Sequence, residues 1–115
     1  MMKISLNGFG ENVATFEADS SVTAGMPVKM TGNGTVGACL AKDKFCGIAL
    51  SVRGGYAAVQ LCGYAQVAYA GSTAPAVGYQ TLSGTGDGKV QAEPAGRSIL
   101  VTDVDTAAKT CGIIL

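Results

Sequence analysis

Met30-Thr31-Gly32-Asn33-Gly34-Thr35-Val36-Gly37-Ala38 and, later, Leu82-Ser83-Gly84-Thr85-Gly86-Asp87-Gly88-Lys89-Val90-Gln91-Ala92 carry one pattern twice. Each reads as a strand, a glycine-rich turn holding Asn-Gly or Asp-Gly, and a return strand of the form Thr/Lys-Val-x-Ala. Gly32-Asn33-Gly34 supplies residues that tolerate positive φ, which a tight hairpin demands. The offset is 52 residues from Met30 to Leu82 and 54 from Val36 to Val90. The second hairpin is therefore expected to hold two extra residues, Thr85-Gly86, in its turn. Gly25 and Gly78, at the start of the two units, stand one residue out of register. Two copies are too few for a solenoid, whose core needs stacked neighbours. They suit a closed, pseudo-twofold β-sandwich or small barrel.

Outward from the hairpins, the chain continues in the same idiom. Seventeen glycines, few aromatics and many Val, Thr and Ala residues favour short strands. Val13, Thr15 and Glu17 alternate with Ala14 and Phe16, which predicts a strand over Asn12–Glu17. Val28 and Met30 face one way and Lys29 and Thr31 the other, the period of a half-buried strand. Phe45–Leu50 reads as a buried central strand. Tyr56–Tyr69 reads as one long strand bent at Gly63, or as two. In the second unit Ser98–Asp103 takes the place of Phe45–Leu50, and Thr110–Leu115 that of Ala58–Cys62. Asp105–Lys109 is the best helix candidate, one or two turns long, with a plain turn as the alternative. The apolar end Cys111-Gly112-Ile113-Ile114-Leu115 is expected to be tied into the sheet. The fold class is thus all-β, a small Gly-rich sandwich, barrel or β-clip-like domain with internal pseudo-duplication and at most one short helix. Residues 1–21 are assigned to an N-terminal arm and first strand, and 22–115 to one duplicated domain with repeats at about 24–63 and 76–115.

Composition narrows the function. The chain has 115 residues, enough for one modest core, with 48% apolar and 14% charged residues. Eight basic and eight acidic side chains balance to zero, which weakens the usual guard against self-association and favours a homo-oligomer. Scattered Lys and Arg without a basic stripe do not provide the phosphate neutralisation that nucleic-acid binding needs. Lys42 and Lys44, with Asp43 between them, read as a solvated loop. No apolar run has the form of a signal peptide, and Ala57–Ala70 is broken by Gln60, Gly63 and Gln66. A cytoplasmic origin and no membrane partner are expected. Cys39, Cys46, Cys62 and Cys111 form no C-x-x-C pair and read as apolar thiols inside or beside strands, with neither metal nor disulfide predicted.

Tests for chemistry fail in turn. There is no histidine, the usual acid–base group at neutral pH, and a cysteine nucleophile would lack its usual base. Asp103 and Asp105 fall on one side of a strand, where two carboxylates could share a proton or cation, but strand-end residues facing water explain them more simply. Gly84–Lys89 has the look of a phosphate-binding loop, yet Ser83 stands where the first glycine belongs and Val90 where a magnesium-binding hydroxyl would sit. Asn33-Gly34-Thr35 matches a glycosylation acceptor, without weight in a protein that is not secreted. Lys29 precedes its hairpin rather than capping it, unlike the modified lysine of biotinyl and lipoyl carriers. No catalytic, metal or cofactor residue is assigned.

The order of segments resembles a family. Ala24-Gly25-Met26-Pro27-Val28, then Phe45-Cys46-Gly47-Ile48-Ala49-Leu50, then Gly55-Tyr56-Ala57-Ala58-Val59-Gln60-Leu61-Cys62-Gly63 are similar to the small capsid decoration proteins of tailed phages and related prophage-encoded proteins. Ala74-Pro75-Ala76-Val77-Gly78 matches the opening of that family's second half, and Gly112-Ile113 its closing strand. The resemblance implies a homotrimer on the virion capsid surface, with the major capsid protein as partner and no catalytic activity. It also implies an N-terminal segment that adds a strand to the shell. Met1–Val13 would be that segment, with Ile4, Leu6, Phe9 and Val13 as capsid contacts and β-augmentation as the mode. The alternative class is a small-molecule or carbohydrate binding module, although Tyr56, Tyr64, Tyr69 and Tyr79 are scattered in sequence and tryptophan is absent.

Overall fold

Alternating apolar and polar residues on either side of glycine-rich turns build ten strands and no helix in the computed structural model, which describes residues 12–115. The first five are β1 (Asn12–Ala18), β2 (Pro27–Gly32), β3 (Thr35–Ala38), β4 (Gly47–Arg53) and β5 (Tyr56–Cys62). They close into a barrel in the order β1-β3-β2-β4-β5. The ring is antiparallel except where β1 runs parallel to β3, pairing Glu17 with Thr35 and Ala18 with Val36. Inside lie Val22, Val28, Val36, Ala49, Ala57 and Val59, with Phe16 and Leu61 at the margin. These are small side chains, as the bore of a five-stranded barrel requires.

The next five strands repeat the plan. They are β6 (Tyr64–Ala68), β7 (Gly78–Gly84), β8 (Val90–Ala92), β9 (Arg97–Asp105) and β10 (Thr110–Ile114), in the order β6-β10-β9-β7-β8. Their two edges meet at a parallel bridge between Tyr69 and Val90, where the Ala70 N–H donates to the Val90 carbonyl at 2.8 Å. The first barrel has the same feature, since the Asp19 N–H donates to the Val36 carbonyl at 3.1 Å. A β-bulge interrupts β4 between Ala49 and Ser51, and its counterpart interrupts the β9–β10 ladder at Gly112/Ile113. The duplication of topology thus extends to this bulge, whereas the shifts at Asn12/Val13 and Met30/Gly32 belong to the first barrel alone.

Register sharpens the repeat. Met30 pairs with Val36 in the first hairpin and Gly84 with Val90 in the second. The two turns therefore have equal length, Met30 corresponds to Gly84, and the extra pair of residues lies within β7 rather than in the turn. Against β4 and β9 the match is Pro27–Ile48 with Tyr79–Leu100, so the strands facing β2 and β7 differ in offset by that pair. The repeat also begins earlier than Ala24: β1 is a full wall of the first barrel, and β6 is its counterpart. Tyr56–Tyr69 is two strands broken at Gly63, whose φ of +92° suits glycine. Thr106–Lys109 is a turn, and the chain end is tied in through β10.

One connection joins the two bodies more tightly than chain continuity alone. The segment between β3 and β4 leaves the first barrel and enters the core of the second. Cys39, Phe45 and Ile48 are buried there with Leu82, Val90, Ile99, Val101, Cys111 and Ile113.

Candidate interaction surfaces

The latch between the barrels is built from Phe45 outward. Its ring is 1% exposed, and the Arg97 guanidinium lies over it at 5.7 Å from the centroid. The same guanidinium donates to the Phe45 and Cys46 carbonyls at 3.2 and 3.4 Å, a pairing of stacking and hydrogen bonding that lysine could not reproduce. Asp43 holds the loop in shape. Its carboxylate accepts from the Leu40 N–H at 2.9 Å and pairs with Lys29 at 2.5 Å, and its backbone carbonyl accepts from the Gly84 N–H at 2.8 Å. The Lys29 hydrogen bond holds the Asp43 carboxyl below its ordinary range, and the same bond raises the Lys29 ammonium. Gly84 is required by proximity: a Cβ there would fall on the Cys39 side chain. Burial pushes the Cys39 thiol up to about 11.

A second clamp secures the junction itself. Gln60 is 2% exposed, and its side-chain amide donates to the carbonyls of Cys62 and Tyr64, at 3.1 and 2.8 Å, on either side of Gly63. The Gly63 carbonyl accepts from the Leu115 N–H at 3.0 Å. In the sequence Gln60 is only an interruption of an apolar run. Its role depends on a contact four residues along the chain but in another barrel, and no local signal marks it.

Two faces remain open among the described residues. On the first barrel, β1, β5 and β4 form a wall with a shallow groove of about 410 Å³ lined by Thr15, Ser51, Val52, Arg53, Tyr56, Ala57 and Ala58. Val13, Leu50, Val52 and Tyr56 are exposed on this barrel. Val13, expected to touch a partner, thus does face solvent on β1. Ile4, Leu6 and Phe9, expected beside it, lie outside the described residues. On the second barrel an outward row crosses four strands: Tyr79 pairs with Leu100, Leu100 with Ile114, and Ile114 with Tyr64. Tyr79 is 76% exposed, and neighbouring Val77 is open as well. The tyrosines that seem scattered in sequence therefore divide three ways. Tyr69 is buried, Tyr56 lines the groove, and Tyr64 and Tyr79 share the row.

Among the described residues, the groups singled out in the sequence for their chemistry have separate partners. Asp103 accepts from the Tyr64 hydroxyl at 3.2 Å and from the Thr102 hydroxyl at 2.7 Å, and Asp105 caps the following turn through the Ala107 and Ala108 N–H groups at 3.0 Å. The two aspartates thus serve different partners rather than one another. The Gly84–Lys89 segment is a hairpin turn, closed by the Thr85 N–H to the Lys89 carbonyl and by Lys89 N–H to the Thr85 hydroxyl. Cys39 and Cys111 are buried and Cys46 and Cys62 partly so, with no disulfide among them. Among the described residues no group of His, Cys, Asp and Glu is arranged to hold a metal ion.

No protein-family model matches the chain, and no curated protein matches it either. Function is therefore argued from these surfaces.

Proposed function

We propose that this protein is a structural subunit of a phage or prophage particle, which decorates and stabilises the capsid exterior as a homotrimer bound to the major capsid protein. The observation that supports this reading is the placement of exposed apolar side chains on a body with few charges. Val13, Leu50, Val52 and Tyr56 stand open on the first barrel, and Val77 and Tyr79 on the second. Open apolar side chains on a small latched body suit association rather than turnover. Val13 begins the wall that the N-terminal segment leads into, so an arm carrying Ile4, Leu6 and Phe9 would run onto the capsid from this side. The edge it would add is a strand edge on the shell, where main-chain hydrogen bonds supply the binding.

Mixing the protein with expanded empty heads of its own phage tests the proposal. Co-sedimentation is expected with the full chain, and removal of residues 1–13 is expected to weaken it at least tenfold. Full-length protein that stays in the supernatant would end the capsid reading.

The groove of the first barrel favours a second reading, a non-catalytic small-molecule or carbohydrate binding module. Arg53 and Tyr56 beside Ser51 and Thr15 offer a cation, a ring and two hydroxyls around about 410 Å³. A glycan array with several hits that vanish in Tyr56→Ala would promote it over the first.

A further inference from the structure

The two barrels share one topology but not one fate for the same surface. Across β2, β4, β5 and β1, the outward row is Pro27, Ile48, Gln60 and Val13. Pro27, Ile48 and Gln60 are buried, and Ile48 packs with the core of the second barrel. The equivalent row on the second barrel is Tyr79, Leu100, Ile114 and Tyr64. There Tyr79 is 76% exposed, and no member of the row is fully buried. Each barrel thus presents a face at the same position: among the described residues the first is buried at Pro27, Ile48 and Gln60 and open only at Val13, and the second is fully buried nowhere.

The covering surface is equally one-sided. The second barrel receives the first through its β7–β8 hairpin, where Gly84 meets Cys39 and Gly88 lies close to Met26. The equivalent hairpin of the first barrel, β2–β3, carries Met30 in place of Gly84 and Gly34 in place of Gly88, both turn glycines having positive φ. Met30 is 45% exposed, and Thr31, Gly32, Asn33 and Gly34 are exposed with it. A pseudo-twofold would have covered both hairpins and both rows together. The relation is head to tail instead, and among the described residues it leaves one such surface open on each barrel.

We infer that the open Tyr79–Leu100–Ile114–Tyr64 row is a docking face for the β2–β3 hairpin of a second copy of this chain, so that copies join head to tail by a contact equivalent to the one inside each chain. The chemistry of the two ends agrees. Neither the row nor Met30–Gly34 carries a charge, and Lys29 beside the hairpin is already engaged with Asp43. The sizes compensate as well. The connection from β8 to β9 (93–96) is four residues shorter than that from β3 to β4 (39–46), and Met30 supplies bulk where Gly84 has none. A head-to-tail contact either closes into a ring or continues as a filament. In a closed trimer it would place six barrels in one ring. The inference rests on the oligomer in the proposed function and not on the capsid.

Light scattering on the full chain at tens of micromolar is the test, with Tyr79→Glu and Met30→Glu as variants. Both positions are exposed, and unchanged circular dichroism spectra confirm that each variant folds. The full chain is expected to be an oligomer and each variant a monomer. An equimolar mixture of the two is expected to form a dimer and stop there, because one sound junction survives. A variant that still assembles overturns the inference, and so does a mixture that stays monomeric, which would mean a single shared patch. A monomeric full chain overturns it too; if removal of residues 1–11 then releases an oligomer, the chain's own N-terminal segment occupies the row. Failure to bind phage heads with the oligomer intact would remove the capsid reading alone.

Discussion

The first barrel lends side chains to its neighbour, and the second lends almost none back. Cys39 and Phe45 from the β3–β4 connection and Ile48 from the outer face of β4 complete the second repeat's core, whereas Arg97, the second barrel's counterpart contribution, reaches only backbone carbonyls and the face of one ring. Duplicated strands alone do not produce this asymmetry. It comes from three local departures between the copies: a longer β3–β4 connection, glycine rather than methionine at the hairpin shoulder, and glutamine rather than isoleucine near the end of β5. Each converts a surface that is open in one repeat into a buried joint in the other. Symmetry of topology is therefore compatible with a directional joint, and direction is what allows a chain to bind a copy of itself in series.

The comparison can be broken most severely at Phe45. Phe45→Ala removes a fully buried ring and the guanidinium stacked on it, with an expected loss of about 3–5 kcal/mol. Because the ring sits in the other barrel, hydrogen exchange should show the loss of protection in β7–β10 and much less in β1–β5. Equal loss in both barrels would mean that they do not differ in dependence on the latch.

Gly84→Ala and Met30→Ala form a matched pair at equivalent positions. The first forces a methyl onto Cys39, and about 1–3 kcal/mol of destabilisation is expected from overpacking. The second trims an exposed side chain, and chemical denaturation of dilute protein should show a change within about 0.5 kcal/mol. Similar values for both would erase the distinction between the two hairpins.

Gln60 and Ile114 make a second pair. Gln60→Leu removes the amide from which the Cys62 and Tyr64 carbonyls accept, and about 1–3 kcal/mol should be lost. Ile114→Gln places the amide on the open row, where water satisfies it, so denaturant midpoints should move far less. A Gln60→Leu variant as stable as the parent would show that the junction does not need the clamp.

The smallest effect is expected from the Lys29–Asp43 pair, which has no counterpart in the second barrel, where the hairpin register puts Ser83 in the place of Lys29. The Asp43 carboxyl is held below the ordinary value of 3.8 by the Lys29 hydrogen bond. Its contribution is therefore full above that value and lost as pH falls through the folded-state value. The Lys29 ammonium is raised above 10.5 by the same bond, so its contribution is full below 10.5 and lost as pH rises through the folded-state value. Thermal melts across the acid limb should fall more steeply for the parent than for Asp43→Asn, and parallel limbs would remove the pair from the latch. Because both side chains remain partly exposed to water, the difference should be slight.

Much of the fold is legible in local chemistry. Asn33-Gly34 and Asp87-Gly88 demand turns, alternation in Asn12–Glu17 demands a strand, and Gly63 breaks the apolar run where an ordinary residue would strain. These are short-range requirements, and a sequence states them directly. The equivalence of the hairpins is legible only in part, because sequence matching aligns Met30 with Leu82 while hydrogen-bonded register aligns it with Gly84. An insertion inside a strand leaves no mark that distinguishes it from one in a turn. The twofold suggested by two copies fails for a related reason: repeat sequences specify like topologies, while the contact between them depends on a few residues that differ.

The candidate surfaces show the same division. Alternation groups Val13 with Thr15 and Glu17 on one side of a strand, but Gln60, Arg97 and Phe45 could not be assigned to a joint, nor Tyr79, Leu100, Ile114 and Tyr64 to one row. Strand neighbours 14, 21 and 50 residues apart share no local pattern. What the sequence by itself determined is that this chain forms glycine-turned strands, duplicated, with little charge and without a histidine. Only the tertiary structure decided which faces close on each other and which remain open, because burial is settled by register and by the partner across the interface, and both are long-range.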